Sequence, residues 1–126
     1  MSLLLGLSLA ATAPATPVAA LEELGRSGEL MVASGDRPDK REKVLEIEAR
    51  TCNVAFKTKL FPNGFQAHMI DIGEGGKVKR VRRDTVRIEG STRFPKMSVL
   101  VSGGRTKALY NALQKVRKSC RVDGIF

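Results

Sequence analysis

The sequence predicts an α+β domain: a small antiparallel sheet of about four strands packed by a C-terminal helix. Three observations predict it. Apolar and polar residues alternate on both sides of a Pro62-Asn63-Gly64 turn, the period of two that marks half-buried strands joined as a hairpin. Shorter alternating runs recur around Val86 and around Val99. Then Leu109, Ala112, Leu113, Val116 and Cys120 recur at helical spacing, one apolar stripe of an α-helix.

Residues 1–20 carry no charged side chain. Their apolar stretch, residues 3–13, has the length of a signal-peptide core and is too short to span a bilayer. Pro14 and Pro17 interrupt helix formation. Val18-Ala19-Ala20 places small residues before a cleavage point after Ala20, and Ala13-Pro14-Ala15 offers a second one. The segment departs from the usual pattern in having no Lys or Arg ahead of the apolar stretch. Residues 1–20 are therefore expected to be a signal peptide, residues 21–43 a flexible arm, residues 44–121 one α+β domain, and residues 122–126 a tail.

The arm reading rests on Gly25, Gly28, Gly35 and Pro38 within a segment of mixed charge. From Val44 a strand is expected, because Leu45, Ile47 and Ala49 alternate with Glu46, Glu48 and Arg50. A helix capped by Asp36 or Asp39 competes with it. In the hairpin, Val54, Phe56, Thr58 and Leu60 alternate with Ala55, Lys57 and Lys59, and Phe65, Ala67 and Met69 with Gln66, His68 and Ile70. Gly73-Glu74-Gly75-Gly76 ends it, with Asp71 and Glu74 as turn residues, since two carboxylates are too few for a calcium loop. Val86 and Ile88 form the next strand, closed by Gly90. Phe94-Pro95 belongs to a connection, and Met97, Val99 and Val101 form the last strand. A helix follows over 106–121, with Thr106 or Ser102 as its cap.

With 126 residues, the chain is sized for one domain. Its composition excludes collagen-like, coiled-coil and multi-span membrane chains. One His and two distant Cys cannot supply a usual zinc set, and no cofactor motif is present. Gly103-Gly104-Arg105-Thr106 and Gly76-Lys77-Val78 both lack the phosphate-loop pattern, so the former reads as a strand-to-helix turn. Cys52 and Cys120 are too far apart for a redox or metal pair. In an oxidising compartment they are expected to form one disulfide. In a cytosolic protein they would be two buried thiols.

The formal net charge is +9, and it is unevenly placed. Residues 21–50 are net negative, whereas residues 77–93 and 104–121 together exceed the whole surplus. Lys77, Lys79, Arg80, Arg82, Arg83, Arg87, Arg93, Arg105 and Lys107 are the candidate anion-binding residues. An anionic polymer, an acidic membrane surface or an acidic protein would fit them. A plainly solvated basic surface is the competing reading, and Lys115, Arg117, Lys118 and Arg121 already suit a helix C-terminus. Nucleic acid fits less well, because no aromatic residue interrupts the basic run; Phe94 and Tyr110 are the nearest.

These features predict an exported, non-enzymatic basic protein, periplasmic or secreted, that binds a polyanion or acidic partner. A cytosolic nucleic-acid-binding protein is the alternative. A small secreted ribonuclease is a third reading, with His68 as acid, Glu48 or Glu89 as base, and Arg87 on the phosphate.

Overall fold

The structure is a computed structural model and describes residues 16–60, 62–73, 75–90 and 98–123. Glu74, Arg93, the Phe94-Pro95 connection and Met97 lie outside the described residues. The chain runs α1 (Pro17–Arg26), β1 (Leu30–Ser34), β2 (Glu42–Lys43), β3 (Glu46–Arg50), β4 (Asn53–Lys59), β5 (Phe65–Asp71), β6 (Lys77–Arg82), β7 (Thr85–Glu89), β8 (Ser98–Gly103) and α2 (Thr106–Asp123). The class is α+β, as expected, but the strands among the described residues number eight and form two antiparallel sheets. One sheet has the order β2-β1-β8-β7-β6, the other β3-β4-β5.

The alternation that marks the strands also sets their faces. Val32 pairs with Val101 and Val101 with Val86, so these side chains share the core face of the larger sheet. In the smaller sheet Ile47, Phe56 and His68 lie in one row, and Glu48, Ala55 and Met69 in the row on the opposite face. Helix α2 lies against β6, β7 and β8, while α1 packs on β3 and on α2. The core therefore sits between two sheets and two helices, centred on Phe56, Leu21, Ile88, Leu109 and Leu113. Burying a side chain such as Phe56 contributes about 2–3 kcal/mol.

The structure corrects the expectation of a flexible arm over 21–43. Leu21 and Leu24 of α1 are buried, and β1 is an interior strand between β2 and β8. Glycine in this segment marks close approach rather than looseness. A Cβ on Gly25 would run into the backbone nitrogen of Ile47, where α1 crosses β3. The Gly35 amide donates to the Ser98 carbonyl at 2.8 Å. Helix α1 also crosses the expected cleavage point after Ala20: the Thr16 hydroxyl accepts from the Ala19 amide at 3.0 Å, and Pro17 occupies the first turn.

From Val44 onward the strand reading holds over the helical one, as β3. The strand β6 was not expected. Its two valines, Val78 and Val81, are three apart, and a register shift between Arg80 and Arg82 explains the broken alternation. Val78 is buried, whereas Val81 is exposed. Thr106 begins α2, but its hydroxyl donates to the Arg83 carbonyl at 3.3 Å instead of accepting from a helix amide. Asp71 turns the chain as expected, accepting from the Gly73 amide at 2.7 Å.

Cys52 and Cys120 lie at disulfide distance, with Cα–Cα 5.3 Å. The pair joins the turn between β3 and β4 to the late part of α2. Among the described residues, no helix is long and apolar enough to cross a membrane.

Candidate anion-binding site

The hairpin β6–β7 turns through Arg83 and Asp84, and that turn is docked on the start of α2. The Gly103 amide donates to the Asp84 carbonyl at 3.1 Å. The Arg83 carbonyl accepts from the Thr106 hydroxyl and from Arg80 Nη2, the latter at 2.9 Å. Gly103 permits this junction: it has φ +140°, and a Cβ there would run into the Glu29 carbonyl oxygen. Two basic segments that are separate in sequence are thereby brought to one corner.

Arg80, Arg82 and Arg83 come from the hairpin, and Arg105 and Lys107 from the helix start; all five are exposed. The first turn of α2 contains no acidic residue. Its free amides carry the positive end of the helix dipole. Cations are unfavourable at that end, so the corner concentrates positive potential from side chains and backbone alike. Two carboxylates temper it. Glu29 Oε2 is 3.6 Å from Arg105 Nη1, in a half-exposed pair, and Asp84 accepts from the Thr85 hydroxyl at 3.2 Å. Surface pairs of this kind contribute little. Among the described residues, the Arg82 and Lys107 side chains have no hydrogen-bond or ion-pair partner.

The remaining candidates separate from this corner. Strand alternation puts Lys79 opposite Arg87 on the outer face of the sheet. Both address Glu89: Arg87 Nε lies 3.4 Å and Lys79 Nζ 3.9 Å from its Oε2. Arg87 Nε is shielded from solvent and makes no hydrogen bond, so charge alone pairs it with Glu89. Lys77 is exposed at the far end of β6, about 16 Å from Arg82 at 3.3 Å per residue. Arg93 lies outside the described residues. Near the end of α2, Arg117 has a structural role: its Nε donates to the Gly76 carbonyl at 2.9 Å and its Nη1 to Gln114. Tyr110 packs against the core and accepts from Gln114 Nε2 at 2.9 Å, so it is not an open stacking platform.

The residues of the ribonuclease reading engage separate partners. His68 Nε2 meets Glu42 Oε1 at 3.2 Å, and the fully buried Thr58 hydroxyl donates to the same oxygen at 3.3 Å. Glu48 lies on the other face of the smaller sheet with Lys57 and Arg50. Glu89 and Arg87 pair with each other in the larger sheet. Glu42 was missed by sequence reasoning. It lies in a two-residue strand and 26 positions from His68, a spacing that carries no local signal. The cluster ties β2 to β4 and β5.

No protein-family model, curated protein or solved structure matches the chain.

Proposed function

We propose that the chain is an exported, non-enzymatic protein that binds a sulfated or phosphorylated polyanion at the corner formed by the β6–β7 turn and the start of α2. The observation that carries this reading is the junction itself. It sets five exposed cations around an unpaired helix start, with Asp84 and Glu29 as the carboxylates of the same corner. Like charges gathered at the cationic end of a helix are unfavourable without a counterion, and a polyanion supplies several at once. The packing of the partly buried Tyr110 against the core and the absence of another aromatic residue in the corner's segments favour such a polymer over single-stranded nucleic acid.

Export is supported by the apolar leader and by the pairing of Cys52 with Cys120. Helix α1 favours processing after Ala15 over processing after Ala20. Cutting after Ala20 would remove the Thr16 cap, Pro17 and the core-packed Val18 and Ala20. Cutting after Ala15 leaves the helix whole.

The test is titration with a sulfated oligosaccharide of defined length. Arg82→Glu, Arg83→Glu and Lys107→Glu together should weaken binding by roughly 100-fold at low salt. Arg80 is left in place because it bonds the turn. Lys115→Glu with Lys118→Glu, on the later part of α2, should have a much smaller effect. Equal losses from both sets would show general charge attraction and refute a site at this corner.

A further inference from the structure

The two sheets have four edges, and three are guarded against pairing. Strand β2 is two residues long. Strand β6 carries Lys77, Lys79, Arg80 and Arg82 among six residues, and a register shift. Strand β3 carries Glu46, Glu48 and Arg50, and α1 lies against it. Short, charged, irregular or covered edges are the usual means of preventing strand addition. The fourth edge, β5, is seven residues long and in unbroken register with β4; its one formal charge is Asp71 at its end, and among the described residues it touches β8 but no helix packs on it as α1 packs on β3. It reads Phe65-Gln66-Ala67-His68-Met69-Ile70-Asp71, with no Lys, Arg, Glu or Pro. Phe65 is 63% exposed and Met69 56%, and Ala67 between them is exposed as well.

The hydrogen bonds show which backbone groups this edge offers. The Leu60 amide donates to the Gly64 carbonyl, and the Ile72 amide to the Cys52 carbonyl. Even-numbered residues of β5 therefore bond toward β4, and Phe65, Ala67, Met69 and Asp71 direct their N–H and C=O groups to the open edge. Those same residues place their side chains in one row.

The row is self-complementary about Ala67. If a second β5 approaches antiparallel with Ala67 opposite Ala67, Phe65 of each copy meets Met69 of the other. Gln66 meets His68, polar against polar. No charged pair falls between positions 65 and 69. The outward N–H and C=O groups of Phe65, Ala67 and Met69 then form six ladder hydrogen bonds in phase. We propose that β5 is a homodimerisation edge, joining two copies of this chain through a two-fold axis at Ala67 into one six-stranded sheet. A second copy fits better than an unrelated strand because one sequence supplies both halves of each contact. The interface is small, so the dimer belongs to the weak, concentration-dependent class.

The test is sedimentation of the full chain over a range of concentrations. The wild type should rise from its monomer mass of 13.7 kDa toward twice that value. Ala67→Pro removes an amide that faces the open edge and no bond to β4, so it should leave the circular dichroism unchanged and abolish the dimer. A charge series tests the register. Phe65→Lys with Met69→Lys sets like charges opposite one another and should weaken the dimer roughly tenfold or more. Phe65→Lys with Met69→Glu makes both contacts attractive and should restore it. A wild type that stays monomeric throughout overturns the proposal. So does a dimer that survives Ala67→Pro, or one that responds equally to both charge pairs.

Discussion

Breaking the link between Cys52 and Cys120 should remove a large part of this protein's stability. The two residues are 68 positions apart, and the link ties the β3–β4 turn to α2, which covers the larger sheet. Closing so long a loop restricts the unfolded chain, by an entropy equivalent to about 4 kcal/mol at 25 °C. Cys120 is also buried, at 2% exposure. Cys52→Ala with Cys120→Ala therefore removes the cross-link and leaves a small void, worth about 1 kcal/mol more. Single domains are stable by only about 5–15 kcal/mol, so the double variant should be marginal. Urea unfolding followed by far-ultraviolet circular dichroism separates the two contributions. Oxidised against reduced wild type measures the cross-link, and reduced wild type against the double variant measures the void. A difference below about 1 kcal/mol between oxidised and reduced protein would refute the loop argument.

Three further outcomes follow from the backbone. Thr51 is a β-branched residue at φ +51° in the β3–β4 turn, so Thr51→Asn should stabilise by about 1 kcal/mol in the same urea assay. Gly25→Ala should destabilise by about 1–2 kcal/mol, because the clash with the Ile47 backbone outweighs the gain in helix propensity. The intact mass of protein recovered from its native host should correspond to a chain beginning at Thr16; a chain beginning at Leu21 would show that the first turn of α1 is dispensable.

Much of the fold was legible because local periodicity matched burial. The hairpin of β4 and β5 and the stripe of α2 needed no tertiary information. Strand β1 was missed although Leu30-Met31-Val32-Ala33 is a continuous apolar run, the pattern of an interior strand. The neighbouring glycines mimic the composition of a loose segment, whereas Gly25 and Gly35 are points of contact. Strand β6 was hidden by its register shift, which moves Val81 out of phase with Val78. The candidate site was legible in composition but not in grouping. Only the docking of the Arg83-Asp84 turn on α2 joins Arg82 to Lys107, and only cross-strand pairing reveals that Glu89, two residues from Arg87 on the same strand, also meets Lys79. Glu42 left no trace in the sequence because its contact with His68 bridges two sheets.

The salt dependence of polyanion binding tests the functional account most directly. With five cations neutralised, the logarithm of affinity should fall against the logarithm of salt concentration with a slope of about −3.5, taking roughly 0.7 per contact as for a single-stranded polymer. Arg82→Gln, Arg83→Gln and Lys107→Gln together should reduce that slope to about −1.4. A slope unchanged by these substitutions would place the anion elsewhere and contradict the account.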